Sequence, residues 1–393
     1  MTPSVVVSRR GADRIRTLHP WIFRSDVVEA AADPGDLVRV TTDRGRPVGW
    51  AFWSSTSQIA LRMVSTSSAL VVDEPGWLAG RVRAAAAYRA SLGIVDSAWR
   101  VVHAESDGLP ATIVDRYGDE DGVYLVVQTL AQGSDRRLPW LVDALVAEFQ
   151  PRGIIARNDP KVRQLEGLGS QVEVLYGEFP ERVRVTEGDV RYAVDLREGQ
   201  KTGLFLDQRE NHAAAARYTR GEALDGFTYN GGFALQMARR ARHVLALDSS
   251  AAAVANTRAN AEANGLSNVE VREGNVFDEL RELDISGARF DTVVLDPPAF
   301  AKNKASVDRA LAGYKEINLR ALRLLKPGGH LITCSCSYNV DEPLFLQVLQ
   351  AAAADAHVPA MLVEKRLQAR DHPVLVTVPE TSYLKCVVLR RSA

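Results

Sequence analysis

Two short stretches of the chain carry residue types suited to covalent or proton chemistry. Leu295-Asp296-Pro297-Pro298-Ala299-Phe300 holds a carboxylate on a rigid extended turn, because each proline restricts its own φ and the residue before it. Thr333-Cys334-Ser335-Cys336-Ser337 sets two thiols two residues apart, and on a strand that spacing turns both to the same side. Cysteines this close are poorly placed for an unstrained disulfide. Only Cys386 remains to complete a metal site, so no metal is expected. An isolated strand cysteine is by default inert packing. Beside Asp-Pro-Pro at a ligand-facing edge, one of the pair, Cys336 foremost, reads instead as a functional thiol.

A second group of residues has the chemistry of a nucleoside site. Asp225-Gly226-Phe227-Thr228-Tyr229-Asn230-Gly231-Gly232-Phe233 lets the backbone pass close to a ligand and turn into a helix N-terminus. It lacks the GxGxxG dinucleotide fingerprint, which weakens a NAD or FAD reading. Asp248 closes the apolar run HVLALD and could accept hydrogen bonds from the ribose hydroxyls of an adenosine-containing cofactor. The alternative is that Asp248 or Ser249 caps the helix starting near Ala251. Glu273-Gly274-Asn275-Val276 follows the third apolar run, where it could hold an adenine edge.

These residues need a scaffold, and the chain from about 186 onward supplies one. Strands are expected at ALDGF, HVLALD, NVEVRE, FDTVVLD, HLITCSC and YLKCVVLRR. Helices are expected between them at FALQMARR, AAAVANTRANAEANG, VDRALAGYKEINLRALRLL and EPLFLQVLQAAAADA, with Pro327-Gly328-Gly329 stopping the third. Alternating strands and helices build a parallel sheet covered on both faces, which binds ligands beyond the carboxyl ends of its strands. Asp225, Asp248, Asn275, Asp296 and Cys336 all fall at such ends. Ahead of this unit, residues 1–78 form a small β-rich domain of short apolar runs and turns, closed by Glu74-Pro75-Gly76, with a helix from Leu78 to Leu92. Residues 79–185 read as a mixed α/β central domain without a catalytic constellation.

A net charge of −1 argues against a uniformly basic nucleic-acid binder, so the distribution of charge matters more than its sum. Arg9, Arg10, Arg14, Arg16 and Arg24 stand against only Asp13 near the N-terminus, interleaved with His19, Trp21 and Phe23. Basic side chains beside aromatics suit a phosphate backbone with exposed bases, although a solvated surface in an Arg-rich chain has the same composition. Arg152, Arg157, Lys161 and Arg163 could touch RNA, but read first as a solvated face. No apolar run is long enough for a signal peptide or a transmembrane helix, and three cysteines in so long a chain favour the reducing cytoplasm.

Taken together, these motifs resemble the PUA-domain-containing class I S-adenosylmethionine-dependent ribosomal RNA (cytosine-C5) methyltransferases over nearly the whole chain. LHPWIF (18–23) is similar to the opening of the PUA domain, and HAESDGLPATIVDRYG (103–118) to the central domain. GQKTGLFLDQREN (199–211), LDGFTYNGGFAL, LDPPAF, KPGGHLITCSCS and DHPVLVTVPETSYLK follow in the family's order. The resemblance implies an α/β fold: a PUA domain over 1–78, a central domain over 79–185, and a Rossmann-like methyltransferase domain over 186–393 with a mostly parallel seven-stranded sheet. It implies S-adenosylmethionine as cofactor, contacted by Asp225, Phe227, Tyr229, Gly231, Gly232 and Asp248, with Ser249, Asn275, Val276 and Asp296 nearby and Asp207, Gln208 and Arg209 closing over it. Arg9, Arg10, Arg14, Arg16, Trp21 and Arg24 would touch RNA. The partners implied are large-subunit (23S) ribosomal RNA and a second copy of the chain in a homodimer. Two departures stand out: Asn275 replaces a common acidic residue, and Ala299 a frequent lysine.

The implied chemistry needs both of the opening motifs. Cytosine C5 is a poor nucleophile, and thiolate attack at C6 by Cys336 would make it a good one, with Asp296 on the N3/N4 edge. A free thiol is mostly protonated at neutral pH, and the helix starting near Asp341 would favour the thiolate. The target base must leave its stack to reach the site. Other readings fit some of the same residues. An RNA N-methyltransferase would use Asp-Pro-Pro and an aromatic without a cysteine, a non-catalytic RNA-binding assembly factor would keep the fold alone, and a dehydrogenase would need the missing fingerprint.

Overall fold

The computed structural model describes residues 2–67, 73–119, 122–199, 202–301 and 304–392. Met1, the stretch 68–72 and Ala393 of the expected domains, and Gln200 and Lys201 of the motif before the sheet, lie outside the described residues. Chain contacts define two units: residues 1–185 with 193–204 and 371–381, and residues 186–192 with 205–370 and 382–393.

The first unit holds two sheets. Six strands order as Trp21–Phe23, Ile59–Ser65, Pro47–Trp53, Leu37–Thr42, Ser4–Val7 and Val27–Ala31. Alternate residues Val5, Val7, Val38, Val40, Ala51, Trp53, Leu61 and Met63 fill one core, as a period of two requires. The helix Arg9–Arg16 buries Ala12 and Ile15 on it and turns its arginines outward. The second sheet runs Gln171–Gly177, Gly153–Asn158, Gly122–Thr129, Thr112–Asp119, Ala98–His103, and is covered by helices Glu74–Ser91 and Leu138–Phe149. Glu74-Pro75-Gly76 opens the first of these helices, since proline is tolerated in a first turn. Arg157 and Arg163 are not on a solvated face. Both are buried, Arg157 donating to the Leu196 and Gly199 carbonyls and Arg163 to the Gly169 carbonyl and Asp135.

The second unit is built on a seven-stranded sheet. Its strands are β1 (Glu222–Gly226), β2 (His243–Asp248), β3 (Val269–Glu273), β4 (Phe290–Leu295), β5 (Leu325–Ser335), β6 (Ala360–Arg366) and β7 (Lys385–Arg391). They lie in the order β3-β2-β1-β4-β5-β7-β6, parallel except that β7 runs antiparallel to both neighbours. The helices are α1 (Arg209–Tyr218), α2 (Gly232–Ala238), α3 (Ala251–Ala263), α4 (Val276–Ile285), α5 (Val307–Leu324) and α6 (Glu342–Ala356). Alternation along the central strands divides two cores. Leu224, Leu245, Leu247, Val293, Leu295, Leu331 and Leu389 face α4, α5 and α6, while Ala223, Val244, Ala246, Val294, Ile332 and Val388 face α1, α2 and α3. The second face is made of smaller residues, which lets α2 lie close with Ala234 and Met237.

Three sequence expectations change here. Pro327-Gly328-Gly329 does not end α5, which stops at Leu324; the motif lies inside β5. Between the pairs Phe290–Leu325 and Thr292–His330 the chain bulges, with Gly328 at φ 75°. Strand β6, AMLVEKR, carries no clean alternation and was not expected, yet it forms an edge of the sheet. Helices α1 and α4 likewise lie in stretches where no helix was expected. Among the described residues no helix is long and apolar enough to cross a membrane.

Candidate active site

The carboxyl ends of β1, β2, β4 and β5 bring four sequence-predicted residues to one edge of the sheet: Asp225, Asp248, Asp296 and Cys336. Asp225 is buried at the end of β1, where its Oδ2 accepts from Thr228 Oγ1 (2.6 Å) and from the Ala234 backbone N–H (3.0 Å). Its Oδ1 is buried without a hydrogen-bond partner among the described residues. Burial, against the Thr228 bond and the neighbouring His212, pushes the carboxyl up to about 7. A buried acceptor of this kind is costly unless something fills it, and a ligand carrying donors would.

The loop after Asp225 is strained in a way that composition alone does not reveal. Phe227 (φ 70°) and Tyr229 (φ 51°) both adopt the left-handed conformation that bulky residues avoid. The surroundings hold them there. The Phe227 and Thr228 N–H groups both donate to the Leu247 carbonyl (2.9 and 3.0 Å), and Tyr229 N–H donates to Asp248 Oδ2 (2.9 Å). Gly231 (φ 84°) completes the turn, whereas Gly232 is glycine for another reason: a Cβ there would lie 2.5 Å from the His212 ring. His212 in turn pairs through Nδ1 with Glu187 Oε1 at 2.7 Å. Burial alone would lower this imidazole's pKa, but the Glu187 carboxylate, aided by Asp296 and Asp225, raises it above the ordinary value.

Asp248 is half-buried, its second oxygen accepting from the Ser250 N–H at 2.9 Å. The helix cap proposed for Asp248 or Ser249 belongs instead to Ser250, whose hydroxyl accepts from Ala253 N–H, while Ser249 is exposed. Asn275 caps α4 through its side-chain oxygen on Phe277 N–H (2.9 Å), a role that suits Asn as well as Asp, and Val276 is buried beneath it. Phe227, Phe277 and Phe300 cluster here, with ring centroids 5.8–6.5 Å apart.

Asp207, Gln208 and Arg209 are all buried at the start of α1 rather than on an open loop. Tyr383 OH donates to Asp207 Oδ2 at 2.7 Å, and Ala369 N–H donates to the Asp207 carbonyl at 2.8 Å. A directional chain of bonds runs past Gln208. Arg366 Nε can only donate, and does so to Asn211 Oδ1 (2.8 Å); Asn211 Nδ2 donates to Gln208 Oε1 (2.7 Å); and Gln208 Nε2 donates to Asp296 Oδ1 (2.9 Å). Each amide orientation follows from the one before it, starting at a guanidinium that has no acceptor.

The two strand thiols do not face alike. Cys334 is fully buried in the small-residue core, across from Cys386 on β7, and burial beside that second thiol pushes it well above the ordinary value. Cys336 follows the last residue of β5, where strand alternation no longer applies, and is half-buried. Its neighbours Ser335 and Ser337 are fully buried, and both hydroxyls meet Tyr314 OH (3.0 and 2.9 Å). Ser337 Oγ also accepts from Ala301 N–H at 3.2 Å, tying the Asp-Pro-Pro loop to β5. Lys385 of β7 reaches over the strand end to the Ser337 carbonyl. Sequence reasoning missed Tyr314, Ser337, Lys385, His212 and Glu187. Only Lys385 gave a signal, as a charge opening the apolar run Cys386-Val387-Val388-Leu389.

Among the basic N-terminal residues, Arg9 and Arg16 are exposed and flank Asp13. Arg10 bonds the buried Asp26 at 2.6 Å, and Arg14 stacks on Phe23 with its guanidinium carbon 4.5 Å from the ring centroid. Arg24 donates to the Ser54 and Ser57 carbonyls, and the Trp21 indole N–H to Glu105 (2.9 Å).

A family model of S-adenosylmethionine-dependent methyltransferases matches residues 162–390, more than half of the chain. The chain belongs to that family. A PUA-like domain model matches residues 5–66 of this methyltransferase. It is 38% identical to a protein of Aeromonas hydrophila named Ribosomal RNA large subunit methyltransferase I, over 99% of this chain and all of that one. Proteins of the same name from Aliivibrio fischeri and Shewanella denitrificans are 37% and 39% identical, covering 98% and 95% of both chains. Among solved structures, a SAM-dependent methyltransferase from Streptococcus mutans superposes over 99% of this chain with a TM-score of 0.83 at 19% identity. Another, SMU.776 complexed with SAH, gives 0.85 at 20%. At that identity the structures speak for the fold, a methyltransferase α/β sheet preceded by a PUA-like domain. The buried unsatisfied oxygen of Asp225 and the loop held against Asp248 fit the enzyme's S-adenosylmethionine.

Proposed function

We propose that this methyltransferase modifies C5 of a cytosine in large-subunit ribosomal RNA through a thiolate adduct of Cys336. One observation carries the reading: of three cysteines, Cys334 and Cys386 are buried side by side in the core, and Cys336 alone stands half-buried at the sheet edge that holds Asp225, Asp248 and Asp296. The ribosomal substrate comes from the names of the full-length relatives, and the PUA-like domain suits an RNA partner.

Asp225, Phe227, Tyr229, Gly231, Gly232 and Asp248 would hold the cofactor, with Ser249, Asn275 and Val276 toward its adenine and Asp207, Gln208 and Arg209 beside it. When bound, S-adenosylmethionine supplies a methyl group on a sulfonium, an electrophile for an electron-rich ring carbon. The protein's own work is to create that carbon. The Cys336 thiolate forms a bond to C6, and the C5–C6 π pair shifts toward C5 and C4–N3, leaving an enamine that is nucleophilic at C5. Asp296, held by Gln208, accepts hydrogen bonds from the N3/N4 edge of the ring in its protonated, activated form. Once C5 carries the methyl group, a base takes the C5 proton, the C–H pair re-forms the C5–C6 double bond, and the C6–S pair leaves with the Cys336 thiolate, restoring aromaticity. The base must be unstacked to meet Cys336, which favours a single-stranded or opened site. Arg9, Arg10, Arg14, Arg16, Trp21 and Arg24 form the proposed RNA face, on which Arg9, Arg10 and Arg16 carry exposed charge. The division into domains at 78 and 185, the homodimer and a cytoplasmic location belong to the same reading.

The test is mass spectrometry of nucleosides from ribosomal RNA incubated with deuterated S-adenosylmethionine. Label is expected in 5-methylcytidine with wild type and Cys334→Ala, and is expected to vanish with Cys336→Ser. Label in a methylguanosine or methyladenosine that survives Cys336→Ser would replace the thiolate mechanism with N-methylation.

A further inference from the structure

Lys385 is a buried ammonium without a carboxylate partner. Only 7% of its surface is exposed, and it makes no ion pair among the described residues. Its Nζ donates instead to two backbone carbonyls, Ser337 (2.8 Å) and Tyr383 (2.9 Å). Buried cations are expensive unless an anion or a full set of acceptors compensates them, and two neutral carbonyls leave one of three N–H donors to account for. The register shows what lies nearest. Lys385 pairs with Ser335 across the antiparallel β7–β5 ladder, and its side chain extends past the end of β5 to the carbonyl two residues further on. Cys336 is the residue between those two points.

We propose that Lys385 is the positioning residue that keeps Cys336 as a thiolate, the two forming an ammonium–thiolate pair at the end of β5. This rests on the reading of Cys336 as the nucleophile and says what makes it one. Lys385 from β7 and Tyr314 from α5 both sense the charge of Cys336, and Asp341 at the start of α6 acts on Lys385. Of these only Lys385 can offer a cation. Burial lowers the Lys385 pKa to about 8, and the negative charge of Cys336 and then Asp341 act in the opposite direction. Asp341 is committed to capping α6, its Oδ1 accepting from Leu344 N–H at 2.9 Å. An ammonium on one side and that helix start on the other would both draw the proton off the sulfur, and the ammonium carries a full unit charge.

The pair predicts a thiol that titrates low without RNA or cofactor, so its test is independent of what the enzyme methylates. Thiolate absorbance near ~240 nm, taken as the difference between wild type and Cys336→Ser, should inflect at least one pH unit below the ordinary thiol value of ~8.5. Iodoacetamide alkylation of Cys336, followed by peptide mass spectrometry across pH 5.5–10, should give the same inflection. In Lys385→Met the alkylation inflection should rise by about one unit or more, about tenfold slower alkylation at pH 7, and Lys385→Arg should restore most of the shift. A wild-type inflection at or above ~8.5 overturns the pair whether or not the lysine variants fold. So does a low inflection that persists unchanged in folded Lys385→Met, which would assign the effect to the start of α6.

Discussion

The Gln208 amide donates to the Asp296 carboxylate at 2.9 Å, joining the segment before α1 to the Asp-Pro-Pro turn after β4. The direction of that bond is set two residues upstream in the network, where the Arg366 guanidinium forces Asn211 to present its amide nitrogen to Gln208. A carboxylate anchored by a neutral donor keeps its orientation, which is what recognition of a ring N–H edge requires.

Gln208→Leu should therefore impair the reaction more than the fold. Hydrogen bonds to charged groups contribute about 1.5–3 kcal/mol, so single-turnover methylation should slow by roughly tenfold to a hundredfold. A rate within twofold of wild type would mean that Asp296 needs no anchor.

Asp225 makes a pH prediction whose sign follows from its burial. Its folded pKa, about 7, lies above the ordinary carboxyl value. The folded state thus keeps a proton that the unfolded chain gives up, and the resulting stability is full below about pH 4, declines as pH rises, and is gone above about pH 7. Asp225→Asn lacks this slope, so urea denaturation of the cofactor-free protein should find the variant gaining on wild type between pH 5 and pH 8, by on the order of 2–4 kcal/mol. Cofactor affinity should do the reverse in wild type, rising through pH 7 as donors meet an ionised Oδ1, and stay flat in the variant. A stability difference independent of pH would show that this carboxyl is ionised throughout.

The arginines near the N-terminus should separate by what they touch. Arg9→Glu with Arg16→Glu removes exposed charge, and RNA binding should weaken with its salt slope reduced by up to about 2, leaving cofactor binding untouched. Arg24→Ala should instead lower the melting temperature, because it strips the donor from the Ser54 and Ser57 carbonyls. Equal effects of both on RNA affinity alone would refute this division.

The amino-acid sequence by itself determined the placement of the site, and the reason is topological. In a parallel α/β sheet every strand ends at the same edge, so naming the residues that close each apolar run already gathers Asp225, Asp248, Asp296 and Cys336. The apolar runs were legible because central strands are covered on both faces. Strand β6 was not, because an edge strand with Met361, Leu362 and Val363 partly exposed need not alternate. The cap at Ser250 and the start of α1 were missed for a related reason: short polar segments admit several local hydrogen-bond patterns, and only the packed structure selects one.

What tertiary structure alone decided are the pairings between residues far apart in the chain. Cys334 and Cys336 were equivalent by spacing. They separate because β5 ends between them and β7 lays Cys386 against the first and Lys385 against Ser335, its Nζ reaching the Ser337 carbonyl past the second. Position 232 must be glycine because the His212 ring, fixed by Glu187, takes the space of any side chain there. Strand order sets these meetings, and it depends on how the whole sheet buries its two faces. Local sequence carries no record of that, so it could name the reactive edge but not which charge stands next to which thiol.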